Sequence, residues 1–143
     1  MIEMRLWDYT SRTDRNEIRE WLCSLSLRDQ ARVEQKLGLL EHVEFELLIH
    51  TKCLAGPIDH TKHIYKLRVR GDKNIRLLLC KGPVVMAAEY TLLVGATEPN
   101  RDLVPKNAIT TALERRSGIL ANSDERRCLH EPARTFETAV PRP

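Results

Sequence analysis

Residues 64–80 read IYKLRVRGDKNIRLLLC, and their alternation decides the fold. Tyr65, Leu67 and Val69 point one way and Lys66, Arg68 and Arg70 the other, because successive strand side chains take opposite faces. Ile75, Leu77 and Leu79 form the matching apolar set of a second strand. Pairing Val69 with Ile75, Leu67 with Leu77 and Tyr65 with Leu79 keeps all six on one face and leaves Gly71-Asp72-Lys73 as a three-residue turn. The same register sets Arg68 opposite Arg76. Like charges directly opposite each other are destabilising by some tenths of a kcal/mol unless something neutralises them. A solvated face accounts for basic residues but not for their clustering, whereas an anion site accounts for both.

Outward from this hairpin, residues 3–9 alternate as a short strand rich in aromatic and aliphatic side chains. Thr13 or Asp14 can cap a helix whose Ile18, Trp21, Leu22 and Leu25 share one stripe and which ends near Ser24. Ser26, with Asp29 three residues on, opens a second helix in which Val33, Leu37, Leu40, Val43 and Leu47 fall on one face, so the two form an antiparallel helix hairpin. Gly56-Pro57 marks a loop. The apolar run Val84–Val94 has the composition of a central strand, interrupted by Glu89 and Tyr90 and ended by Gly95 and Pro99. Pro105 can start a last helix carrying Ala108, Ile109, Ala112 and Leu113, with Gly118 as its stop. The expected fold class is α+β, with an N-terminal strand and helix hairpin packed on a mainly antiparallel sheet. Residues 1–120 are read as the domain and 121–143 as a mobile C-terminal tail.

Composition narrows the class of protein. The chain has 143 residues, 42% of them apolar and 30% charged, which suits one water-soluble domain rather than a disordered segment. No apolar run approaches the ~18 residues of a membrane span, and the first nine residues mix acids and an arginine where a secretory signal needs an apolar stretch. A cytoplasmic protein with no membrane partner is expected. The four cysteines are scattered and read as reduced thiols. His50-x-x-Cys53 and His60-x-x-His63 repeat zinc-knuckle spacing, yet they fall in a polar loop and are read as that loop; no metal and no cofactor is expected. The net charge of +3 conceals an asymmetry. Residues 1–50 hold seven basic and ten acidic side chains, so the rest of the chain carries +6. A basic half suggests that one face meets an anion.

Three stretches together, EWLCSLSLRDQARVEQKLGLLEH (20–42), IYKLRVRGDKNIRLLLC (64–80) and TLLVGATEPNRDLVPKNAITTALERR (91–116), resemble the RelE/ParE toxin superfamily, in particular its HigB-like, phage-associated branch. The most specific part is Ile64-Tyr65-Lys66-Leu67-Arg68 followed by Arg76. The resemblance implies a metal-independent endoribonuclease that cuts messenger RNA, often on the ribosome, under restraint by a cognate antitoxin, expected to be of helix-turn-helix type. It also implies two relatives in activity: a non-catalytic binding module on the same fold, and a gyrase inhibitor of the ParE type. Cleavage by the RNA's own 2′-hydroxyl needs a proton acceptor, a donor for the leaving oxygen and positive charge around the phosphorane. Arg68, Arg76 and Lys66 are the expected catalytic residues. Arg70, Lys73, Lys81, Arg101 and Lys106 are expected to bind RNA. Where the branch carries an aromatic residue and two lysines after its glycine, this chain has Ala96-Thr97-Glu98-Pro99, and Arg101 is the first base. Glu98, Arg101 and Lys106 are the residues that could substitute, and Glu89 and Tyr90 could act as base.

Overall fold

The structure, a computed structural model, describes residues 3–11, 15–58 and 61–132. It is α+β, with a six-stranded sheet flanked by helices on both faces. The predicted hairpin is its centre. Strands β3 (Ile64–Arg70) and β4 (Asn74–Lys81) pair antiparallel, with Val69 beside Ile75, Leu67 beside Leu77, Tyr65 beside Leu79 and Arg68 beside Arg76. The turn closes through the Gly71 amide, which donates to the Lys73 carbonyl.

β4 is followed across the sheet by β5 (Glu89–Thr97), antiparallel to it, and then by β1 (Arg5–Tyr9), which runs parallel to β5. The short β2 (Leu54–Ala55) pairs with β3, and β6 (Arg127–Leu129) closes the other edge against β1. β5 begins five residues later than the apolar run suggests. Val84, Val85 and Met86 lie about half exposed in the connection to β4, and the strand continues through Gly95 to Thr97. Residues 84–88 are apolar yet make a turn, so hydropathy alone misplaced that boundary.

Helix α1 (Glu17–Ser24) is capped by Asn16, whose Oδ1 accepts from the Arg19 amide. Thr13 and Asp14, the expected caps, lie outside the described residues. Helix α2 (Leu27–His42) is capped by Ser26 as predicted, its hydroxyl accepting from the Asp29 amide. The stripe assigned to α2 breaks at Val43. A separate helix α3 (Phe45–His50) follows, and the interruption shifts the helical phase, so Leu48 is buried and Leu47 is half exposed. These helices cover Leu67, Val69, Ile75, Leu77, Leu79 and Leu92 on one face of the sheet. Helix α4 (Ala108–Ala121) covers Ile64, Leu78, Cys80 and Leu93 on the other, through Ala108, Ala112 and Ile119. α4 starts three residues after Pro105 and runs through Gly118 rather than stopping there, and Leu113 is partly exposed.

The segment from Ala121, expected to trail off as a mobile tail, instead completes α4, forms α5 (Ser123–Arg126) and supplies β6; its remainder, 133–143, lies outside the described residues. Two polar groups hold β6 in place. His130, almost fully buried, sits between Asp8 (Nδ1 to Oδ1, 2.7 Å) and Glu34 (Nε2 to Oε1, 3.0 Å), while Asn16 donates to the other oxygen of Asp8. Arg127 binds the buried Glu89 at 2.6 Å and stacks on Trp7, whose indole N–H also donates to Glu89.

One close approach is a direct consequence of sequence. The Trp21 indole lies flat against Gly95, where a methyl group would overlap ring atoms. Gly95→Ala should therefore lower stability by about 3 kcal/mol, the upper end for overpacking, measured by chemical denaturation; a change under ~1 kcal/mol would mean that α1 can lift off β5 without cost.

Candidate functional site

Lys66, Arg68, Arg70 and Arg76 lie on the α4 side of the sheet, as the alternation required. Lys66 and Arg76 are diagonal neighbours across the two strands, near enough for long side chains to converge. They converge on Glu98. Lys66 Nζ lies 3.0 and 3.1 Å from its two carboxylate oxygens, and Arg76 Nε donates to Oε1 at 2.8 Å. The three side chains are only 13–14% exposed, so this is a partly desolvated cluster rather than a surface ion pair.

Glu98 is fixed from both ends of its own backbone. Its amide donates to the Asn74 carbonyl at 2.9 Å, and Asn74 Nδ2 donates to its carbonyl. Thr97 then bridges Val104, which pinches residues 98–103 into a loop. Arg101 in that loop adopts a positive φ of 71° and lines, with Asn74, Arg76, Glu98, Pro99 and Asn100, a groove of about 430 Å³. Burial alone would raise the Glu98 pKa, but the hydrogen bonds from Arg76 and Lys66, and their charges, outweigh it and hold the group below the ordinary carboxylate range. The carboxylate is ionised at neutral pH. It is shaped as an anion held by two cations, which is also the geometry that grips a phosphate.

The remaining predicted residues are distributed unevenly. Arg68 and Arg70 share the face of Lys66 and are exposed, as is Lys73 in the turn, and among the described residues none of the three has an ion-pair partner. Arg101 borders the groove directly, and Lys106 is exposed just ahead of α4. Lys81 is placed differently: it has the parity of Leu79, faces the α3 side and packs 4.2 Å over the Phe45 ring. It points away from the cluster. Neither suggested base on β5 serves the site, since Tyr90 is buried in the core beneath the helices and Glu89 is occupied by Arg127 and Trp7. Glu98 is the acid that the fold delivers. Of the zinc-knuckle residues, His60 lies outside the described residues and His63 is exposed.

The Asp8–His130–Glu34 cluster had no counterpart in the sequence reading. Asp8 and His130 are 122 residues apart, and no local spacing links them. Compared with family models, curated proteins and solved structures, the chain matches none.

Proposed function

We propose that the chain binds RNA along the basic face of β3 and β4 and cuts it as a metal-independent messenger-RNA endoribonuclease, the toxin half of a toxin–antitoxin pair. The observation that supports this reading is the convergence of Lys66 and Arg76 on Glu98 beside Arg68, which has no ion-pair partner among the described residues. A phosphate arriving at Arg68 competes with Glu98 for Arg76. Once displaced from the guanidinium, Glu98 loses the interaction that depresses its pKa and becomes the stronger base.

The reaction then closes in protons and bonds. Glu98 takes the proton of the 2′-hydroxyl, that oxygen forms a bond to the adjacent phosphorus, and the bond from phosphorus to the 5′-oxygen breaks. The Lys66 ammonium gives a proton to the leaving oxygen, and the cyclic phosphate departs. Because Lys66 Nζ lies 3.0 Å from Glu98, the proton gained by one can return directly to the other. Arg68 and Arg76 hold charge on the non-bridging oxygens throughout. An antitoxin with acidic side chains would cover the same face, competing with RNA as Glu98 does within the chain.

A second reading, a non-catalytic binding module, is favoured by one feature: the anion position is already filled by Glu98. The two separate in a single assay. Incubating the purified chain with a structured messenger and mapping new 5′ ends should give discrete cuts without added metal and in the presence of chelator. RNA affinity should fall with salt at a log–log slope near −3, about −0.7 for each of roughly four phosphates. Binding with that slope but no cuts at any enzyme concentration would leave the binding module standing, and a flat slope with no cuts would remove both.

A further inference from the structure

Arg116 stands on the wrong face of its helix for a surface charge. It follows Ala112 by four residues and precedes Ile119 by three, which puts it in the buried stripe that α4 lays on the sheet. The floor beneath that stripe is Ile64, Leu78, Cys80 and Leu93. Its neighbour Arg115 is fully occupied, bonded to the Leu93 carbonyl at 2.7 Å and to Glu17 at 3.1 Å, with its guanidinium over the Tyr9 ring. Arg116 has no such set. Its Nε is buried without a hydrogen-bond partner, its side chain lies against the Cys80 thiol, and no carboxylate among the described residues pairs with it. Glu89, whose charge also reaches Cys80, is committed to Arg127.

Burying part of a guanidinium without a counter-ion is unfavourable, so this position calls for an anion that none of the described residues provides. A lysine and a histidine stand nearby. Lys62 and His63 are exposed at the entrance to β3, and the His63 pKa is depressed, first by partial desolvation and then by the charges of Arg116 and Lys62. Two cationic side chains and an imidazole, from α4 and the β3 entrance, thus face one another across a small area. Lys66 lies three residues further along β3, roughly 10 Å at about 3.3 Å per residue, near enough for one strand to touch both places.

We propose that Arg116, Lys62 and His63 form a second phosphate subsite, which holds the RNA backbone on the far side of the Lys66–Glu98–Arg76 cluster. The inference rests on the RNA-binding reading above and adds the direction in which the strand runs, along β3 towards its start. It makes binding depend on RNA length, because a short RNA fills the first cluster alone.

The test measures binding of fluorescein-labelled 2′-O-methyl RNA, which lacks the attacking hydroxyl, at a length of about four nucleotides and at about twelve, lengths within the range single-strand binding sites span. Arg116→Met should weaken the longer RNA about tenfold at low salt and flatten its salt slope by about 0.7, while the shorter RNA binds as to wild type. Its melting temperature should hold or rise, since an unpaired buried charge has been removed. The double variant Lys62→Ala/His63→Ala changes only exposed side chains and should reproduce the length-selective loss; it decides the matter if Arg116→Met fails to fold. Wild-type affinity and slope for the longer RNA in the variants would overturn the subsite and leave the RNA reading intact. No binding of either RNA by the wild type would overturn both.

Discussion

His130→Ala should lower the stability of the chain by about 3–5 kcal/mol at pH 7, the largest loss expected of the substitutions described here, because it removes the buried cation that sits between Asp8 and Glu34. Both carboxylates are nearly inaccessible to water, with side-chain exposures of 2% and 9%. Burial alone would depress the imidazole pKa, but the hydrogen bonds to Asp8 and Glu34 and their charges overcome it and carry the group up to about 10. That value lies above the ordinary 6.5, so the contribution of the charged ring is complete below pH 6.5 and is lost as pH rises through about 10. Wild type should therefore lose stability steadily across that interval. The variant should not, so its deficit should narrow as pH rises towards about 10. Denaturation curves at a series of pH values measure both. Parallel curves for the two proteins, or a deficit under ~1 kcal/mol at pH 7, would show that His130 carries no charge in the folded chain.

Glu98→Gln should abolish RNA cleavage, by a factor of 10² or more as expected for a lost general base, and at the same time tighten RNA binding. The two effects share one cause. The carboxylate both accepts the proton and occupies Arg76 and Lys66, so its neutral isostere removes the base and releases two partly buried cations to the phosphate. The chain itself should become less stable, since those cations, 14% exposed, lose their counter-charge. Arg76→Ala makes the contrast: cleavage and binding should fall together. The measurements are 5′-end mapping for cleavage and anisotropy with 2′-O-methyl RNA for affinity. Retained cleavage in Glu98→Gln would remove Glu98 as the base, and weakened binding would mean that its contacts position the two cations rather than mask them.

The hairpin was legible in the sequence because two strands with period-two alternation and a three-residue turn admit one register that buries all six apolar residues. The direct opposition of Arg68 and Arg76 followed from it. Its neutralisation did not. Taken alone, that opposition implies that deleting Arg76 relieves repulsion, whereas the arrival of Glu98 from the end of β5 makes Arg76 part of an ion cluster. The acid was among the residues noticed after Gly95, but only the Asn74 contacts and the Thr97–Val104 bridge aim it at the strands. Two boundaries were hidden for a similar reason: the interruption at Val43–Glu44 resets the helical count, so Leu48 replaces Leu47 in the core, and Val84–Ala88 has strand composition but turns. The buried stripe of α4 hid Arg116, since a charged residue within an apolar stripe reads as the edge of that stripe. Neither His130 nor Arg127 carried any local signal, because their charged partners lie 38 to 122 residues away in the chain.

That last separation has a bearing on the order of assembly. The β3–β4 ladder needs only its own turn to form, so the Lys66, Arg68 and Arg76 positions can be set early, by local contacts of low sequence separation. The β1–β6 edge must instead wait for residues 127–130, and until they arrive Asp8 and Glu34 lack the imidazole that joins them and the outer side of β1 is an unpaired strand edge. During synthesis, then, the basic strands, complete at Lys81, precede the closing strand at Arg127 by about a third of the length of the chain. A fragment cut at residue 120, inside α4, would stay in that condition permanently, with a formed hairpin, an open edge and no imidazole between Asp8 and Glu34.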